Sequence, residues 1–354
     1  MARLRDAGQR RAAPGSAGQR RAERGSAGQR RAAPGSAGDV SENYKPTCGE
    51  FCSRAPCAVG TQRVVAGCRY VRRVQIERVG DFALGWGESL VWDERTERLY
   101  FVDCAADALH WLDHGRPELQ TLRLPSMAAG IVPTREGALV GALEDGLHRI
   151  EPDMGTTTLL TTYPPGLGGR ANDACADLSG HLITGTLNLG PAPGSSWWYS
   201  SRDGWRLLDP DISNTNGPTV GVIGGTMTLI IGDTSAQYFA YPYEPNTGAV
   251  GPRRVFGDMS GLDGAPDGAT LDEEGGLWCA LVGGGQLARF TADGLSRTVA
   301  LPVTNPTDVT FGGPMLDRLY VVSVGGEGEL DGALLAIDGL GPRGRPEPRV
   351  ETVS

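Results

Sequence analysis

RLYFVDCAADALHWLD (98–113) reads as an apolar strand, a turn and a second alternating strand. The unit returns as GALVGALEDGLHRIEP (137–152), GHLITGTLNLG (180–190), MTLIIGDTSAQYFAYPYEP (227–245), GLWCALVGGGQLARFTADG (276–294) and RLYVVSVGGEGELDGALLAID (318–338). A repeat of about 40–50 residues holding several strands is the signature of a β-propeller blade. Between Arg72 and Ser354 there is room for six units of about 45 residues. Helices are disfavoured, because 53 Gly and 24 Pro punctuate the chain and apolar positions alternate at period two. A two-sheet sandwich would leave six similar units unexplained. The expected fold is all-β, a six-bladed propeller over 72–354. The strand RRVQIERV (72–79) is placed to pair with the last blade and leave no open edge.

The N-terminus is a different kind of sequence. AGQRRAAPGS (7–16), AGQRRAERGS (17–26) and AGQRRAAPGS (27–36) form a tandem repeat with almost no large apolar side chain. Such a segment cannot build a core, so 1–71 reads as a disordered extension and linker. A transit peptide would want an amphipathic apolar face, and none is visible. Net charge is −9 although the first forty residues are basic. The propeller region is therefore more acidic still, which suits a cation site and argues against nucleic acid. No apolar run approaches the roughly 18–20 residues that span a bilayer. A cytoplasmic monomer without membrane contact is expected. In the linker, Cys48, Cys52, Cys57 and Cys68 lack paired spacing and a nearby His, which favours reduced thiols over a zinc knuckle or disulfides. Cys104, Cys175 and Cys279 lie in or beside strands, as buried small side chains do.

Several chemistries are excluded. His110, His114, His148 and His181 share no ligand spacing. There is no Gly-x-Ser-x-Gly elbow, phosphate loop or dinucleotide fingerprint, and GGG (283–285) lies between strands as a turn. What remains is a set of oxygen donors at corresponding blade edges: Glu88 in GWGESLVWD, Asn172 in GRANDACAD, Asn216 in NTNGPT and Asp267 in GAPDGATLD. Strands nearest the axis bring such positions together, and carboxylate and amide oxygens suit Ca²⁺, Mg²⁺ or Mn²⁺. Taken singly, Asn216-Gly217 and Asp267-Gly268 also read as turns, and Glu88 as a solvated charge. Asp103 and Asp233 read either as channel residues or as turn caps. Trp92, Trp111 and Trp278 are expected to pack between blades.

The segments GESLVWD…RLYFVD, RANDACADLSGHLITGT, NGP…DT, GAPDGATLDEEGGLWCALVGGGQLARF and FGGPMLDRLYVVS resemble, in order and spacing, successive motifs of the regucalcin/senescence-marker-protein and gluconolactonase family. The resemblance spans roughly residues 80–338. It implies a six-bladed propeller with one divalent cation in the central channel, and activity on lactones, chiefly sugar lactones; some members hydrolyse organophosphates. Transferred by position, the metal ligands are Glu88, Asn216 and Asp267, with Asp267 also the base. Arg170 and Asn172 fall on the substrate-contacting positions. Ca²⁺ is the first expectation, with Zn²⁺, Mg²⁺ and Mn²⁺ compatible, and a small lactone is the implied partner.

Departures from the family pattern favour an alternative, a noncatalytic cation-binding propeller. Its support is Ser89-Leu90 in place of Gly-Pro and Ala174 in place of a Gly, a swap that strains the loop if that position needs positive φ; VGVIGGT (220–226) stands where a Ser-Pro-Asp-Gly hairpin is usual but keeps a turn-forming Gly-Gly. In GPAPGSSWWYS (190–200), Trp197 and Trp198 either stack on substrate or pack within the fold, and packing is favoured. A propeller of strictosidine-synthase or paraoxonase type would need histidines near the channel, which no motif supplies.

Overall fold

The computed structural model describes residues 73–351 except 168, 189–192 and 236. The expected extension 1–71, with its linker cysteines, lies outside the described residues. Six antiparallel meanders follow one another along the chain. Each has four strands except the fourth, where Tyr238–Glu244 pairs with both Ala249–Val250 and Arg254–Gly257. Among the described residues the sole helical element is a 3-10 turn at Pro152–Met154.

Burial on both faces explains why the strands read as near-continuous apolar runs. In Arg98–Asp103, Leu99 and Phe101 pack with Trp92, Tyr320 and Val322 on the sixth-blade side. Tyr100 and Val102 point the other way, against Ile131 and Leu139 of the second blade. Side-chain period two thus feeds two separate cores from one strand. Every seam between neighbouring blades holds such a cluster. Trp92, Trp111 and Trp278 fill seams as expected. So does Trp198, at the seam of the third and fourth blades with Tyr241 and Tyr243. Trp197, on the same strand Ser196–Ser200, donates its indole N–H to Ser195 Oγ at 2.7 Å.

Closure is as the sequence suggests. Gln75–Val79 pairs antiparallel with Leu334–Asp338, with Ile76 opposite Ile337, so the sixth blade takes its outermost strand from the start of the propeller. Arg318 reinforces the joint, reaching Glu77 at 2.6 Å and Asp338 at 2.7 Å. The Gly224-Gly225 pair has φ of 56° and 82° and makes the tight hairpin at Ile223–Thr226, so VGVIGGT keeps its blade intact.

The innermost strands are Gly87–Asp93, Ala128–Pro133, Arg170–Ala176, Thr215–Ile223, Ala265–Leu271 and Pro306–Gly312, and each carries a register shift near its start. A bulge turns side chains out of the pleat, and here it aims them at the axis. At the opposite end of these strands the C-terminal segment crosses beneath the blades. Gly344 N donates to Leu316 O, Val350 N to Pro133 O and Glu351 N to Gly180 O, while Arg349 pairs with buried Asp93 at 2.6 Å.

Deleting Gln75–Val79 from the full chain strips the last blade of its edge partner. We expect a melting temperature about 10 °C lower or more, with aggregation at raised concentration, by calorimetry and light scattering. An unchanged melting temperature would contradict closure by this strand.

Candidate functional site

Six pentapeptides form the bulge level: ESLVW (88–92), AGIVP (129–133), NDACA (172–176), NGPTV (216–220), DGATL (267–271) and TDVTF (307–311). The second residue of each meets the next blade. Ser89 Oγ accepts from Ile131 N at 2.7 Å, Asp173 Oδ2 from Gly217 N at 2.6 Å, and Asp308 Oδ2 from Leu90 N at 2.6 Å. The other three are glycines because the approach is too close for a side chain. A Cβ on Gly130 would lie 2.6 Å from Ala174 N, one on Gly217 2.8 Å from Ala269 N, and one on Gly268 2.0 Å from Asp308 Oδ1. The positive φ feared at Ala174 falls instead one residue earlier, at Asp173 (52°), and its counterpart is Ser89 (52°). Ala174 is therefore unstrained, and Ser89 contributes a bond that glycine could not.

The first residue of each pentapeptide supplies the expected donors. Glu88, Asn172, Asn216 and Asp267 occupy four of these places; Thr307 and Ala129 fill the others. A chain of contacts draws the expected residues together. Arg170 Nη1 donates to Asn172 Oδ1 at 2.9 Å, and Asn172 Nδ2 donates to Asn216 Oδ1 at 2.7 Å. Asn216 Nδ2 is held by Thr234 Oγ1. The Arg170 guanidinium lies over the Trp86 ring at 5.6 Å, and Trp86 Nε1 donates to Glu88 Oε1 at 2.8 Å. Asp267 faces Glu88, Asp173 and Asp308 closely enough for their charges to act on it. The buried Tyr238 hydroxyl, bonded to Asp267 O, fixes its backbone.

Asp173 and Asp308 belong to this centre although the sequence reading passed over them. Their signal was the second position of the aligned pentapeptides, where a carboxylate stands in place of glycine. Asp103 and Asp233 are turn caps: Asp103 accepts from the Gly85, Trp86 and Ala105 amides, and Asp233 from those of Ser213 and Ser235. The four histidines do not converge. His110 meets Thr121, His148 Asp145 and His181 Asp177, while His114 packs edge-on to Trp92.

Below the bulge level lies a cavity of about 50 Å³ lined by Ser89, Asp173, Cys175, Asp308 and, from the C-terminal segment, Glu347 and Pro348. Burial pushes Glu347 up to about 7. None of the five expected site residues lines this cavity; they precede its lining residues along the inner strands.

Negative charge is crowded at the axis. Burial, then the neighbouring Asp173, push Glu88 up to about 8, against the Trp86 hydrogen bond and the Arg170 charge, which favour its ionised form. Burial likewise takes Asp173 up to about 7, and burial together with neighbouring carboxylates raises Asp267 and Asp308 well above their ordinary range. Among the described residues no three His, Cys, Asp or Glu side chains form a metal cage. The expected set has two carboxylates and takes its third donor from an amide, whose oxygen keeps a second lone pair while bonded to Asn172. Oxygen-only donors with excess recessed negative charge fit a hard divalent cation.

The model of the SMP-30/gluconolactonase/LRE-like region matches residues 86–325. A pentonolactonase (XacC) of Haloferax volcanii is 31% identical over 77% of this chain and 97% of its own length. Regucalcin of Xenopus laevis is 26% identical over 77% of this chain and 96% of its own. The crystal structure of a calcium-binding regucalcin from Agrobacterium tumefaciens superposes with a TM-score of 0.71 at 26% identity, covering 78% of this chain and 97% of that one.

Upward shifts mean that the folded protein holds these protons more tightly than the unfolded chain. Stability from this source is fully present below the ordinary carboxylate value of 4.5 and is lost as pH rises through about 8. Chelator-treated protein should therefore melt about 5 °C or more lower at pH 8.5 than at pH 5.5. Millimolar Ca²⁺ should remove the difference, and Asp308→Asn should flatten it. A melting temperature rising across that interval in chelator would oppose this account.

Proposed function

The chain belongs to the SMP-30/gluconolactonase family, and from that premise we propose that it is a metal-dependent hydrolase that opens a lactone, a sugar lactone or related ester. The observation that supports this most is the contact chain Glu88–Trp86–Arg170–Asn172–Asn216, which gathers residues far apart in sequence at one channel mouth, beside Asp267. The names of relatives point the same way: besides the pentonolactonase, a 6-deoxy-6-sulfogluconolactonase of Pseudomonas putida is 29% identical over 67% of this chain.

In this reading Glu88, Asn216 and Asp267 hold the cation, Ca²⁺ first. When bound, it supplies Lewis-acid polarisation of the lactone carbonyl. Arg170 and Asn172 orient the ring oxygens of the substrate, which lowers the entropic part of the barrier. Asp267 takes a proton from water as the water oxygen bonds to the carbonyl carbon. The acyl C–O bond then breaks, and the same proton passes to the departing ring oxygen, leaving an open-chain hydroxy acid. Burial and adjacent carboxylates raise Asp267, which offsets the loss of basicity that a neighbouring cation imposes.

The noncatalytic alternative drew on Ser89 and Ala174. Ser89 makes a seam hydrogen bond and Ala174 has ordinary backbone, so neither distorts the donors, and the hydrolase is preferred.

The test is hydrolysis of aldonolactones and simple aliphatic lactones after chelation, with Ca²⁺, Mg²⁺, Mn²⁺ or Zn²⁺ restored. Turnover should return with metal. Asp267→Asn should lower kcat/KM by about 10³-fold, and Arg170→Ala should raise KM about tenfold. Wild-type protein inert toward every lactone with every cation would sink the reading.

A further inference from the structure

We propose that Trp86 is a positioning residue that aims the cation-binding carboxylate and the substrate-orienting guanidinium at once. The inference rests on the roles given above to Glu88 and Arg170, and it adds a residue that those roles do not include.

The geometry is specific. The indole N–H of Trp86 donates to Glu88 Oε1 at 2.8 Å, so one carboxylate oxygen is tethered and the other is left to turn toward the axis. The ring of the same side chain lies 5.6 Å from the Arg170 guanidinium carbon. That is within the reach of a cation–π contact. Arg170 is bonded to Ala171 O and Asn172 Oδ1 as well, so the ring completes a frame that fixes it from several sides.

Trp86 is itself firmly held. Asp103 accepts from its amide at 3.0 Å and from that of Gly85 at 2.8 Å, and its carbonyl accepts from Cys104 N at 2.8 Å. A bridge to Val324 ties the same residue to the last blade. With its backbone fixed from two blades and its half-buried indole packed against the seam core of the first and second blades, Trp86 can impose direction on what its ring touches. Partners of this kind behind a metal ligand affect affinity by about 10–100-fold when removed.

The two contacts separate by substitution. Trp86→Phe keeps an aromatic face for Arg170 and removes the N–H donor; Trp86→Leu removes both. Full-length wild type and both variants would be titrated with Ca²⁺ by calorimetry, assayed on an aldonolactone at saturating cation, and melted to confirm folding. In Trp86→Phe, the Ca²⁺ dissociation constant should rise about tenfold or more, with KM within about twofold of wild type. In Trp86→Leu, the same loss of Ca²⁺ affinity should be joined by a KM about fivefold higher. A folded Trp86→Phe that binds Ca²⁺ like wild type, or a Trp86→Leu with unchanged KM, would overturn the proposal. A wild type that binds Ca²⁺ without turning over any lactone would defeat the hydrolase reading instead. The Trp86→Phe titration would then still decide the carboxylate half, since it needs no turnover. A wild type that binds no cation would overturn both.

Discussion

Six strands meeting around one axis must come within backbone distance of one another at a single level, and the molecule is organised around that constraint. Where the approach is closest, at Gly130, Gly217 and Gly268, no Cβ fits. At the other three seams a short polar side chain bridges to the next strand. Two of those, Ser89 and Asp173, sit at positive φ. That conformation costs about 1–2 kcal/mol for a non-glycine residue, and a hydrogen bond from a buried amide to each side chain offsets it. Because all six bulges lie at the same level, the residue before each is delivered to the axis. The proposed site is a by-product of how the ring packs, which is why its residues come from four different blades.

The same crowding governs the electrostatics. Glu88, Asp173, Asp267 and Asp308 are near enough for their charges to act on one another, and Arg170 is the cation whose charge acts on Glu88. Asp173 and Asp308 spend their oxygens on backbone amides of their own and the following blade. Those two read as seam residues that also add negative potential. Glu88 and Asp267 have no such commitment to a seam, and they remain the carboxylates suited to a ligand. A seam built from Asp in place of Gly thus makes the centre more acidic without enlarging the donor set.

The architecture was legible because a blade repeats two signals, an apolar strand and a turn, and six copies average out local ambiguity. Closure by 72–79 was legible for a related reason: a propeller with an unpaired edge is unstable, so a spare strand must go there. Asp173 and Asp308 were missed because their significance depends on which residue of a bulge points along the seam, and that is a register fact. The strain assigned to Ala174 failed for the same cause, by one residue. Trp86 was quoted within its motif and assigned no role, since its partners Glu88 and Arg170 lie two and eighty-four positions away and only the folded ring brings the latter close. The crossing C-terminal segment has no periodic pattern; its hold consists of scattered contacts, among them backbone bonds to Leu316, Pro133 and Gly180 and the Arg349–Asp93 pair.

That segment makes the two mouths of the channel unequal. On its side the axis ends in a small cavity closed by Glu347 and Pro348, and Arg349 is anchored to a carboxylate that is itself buried. Removing one partner of such a pair leaves an uncompensated charge, at a cost of about 3–5 kcal/mol, so the pair holds the segment across this end. The proposed donors lie toward the start of the inner strands and do not line that cavity. Loops there precede the inner strands or join second strands to third. Within the proposed function, choice among lactones belongs to those loops, while the cation donors belong to the bulge level. The two properties meet at Trp86, which precedes the first inner strand and touches both Glu88 and Arg170.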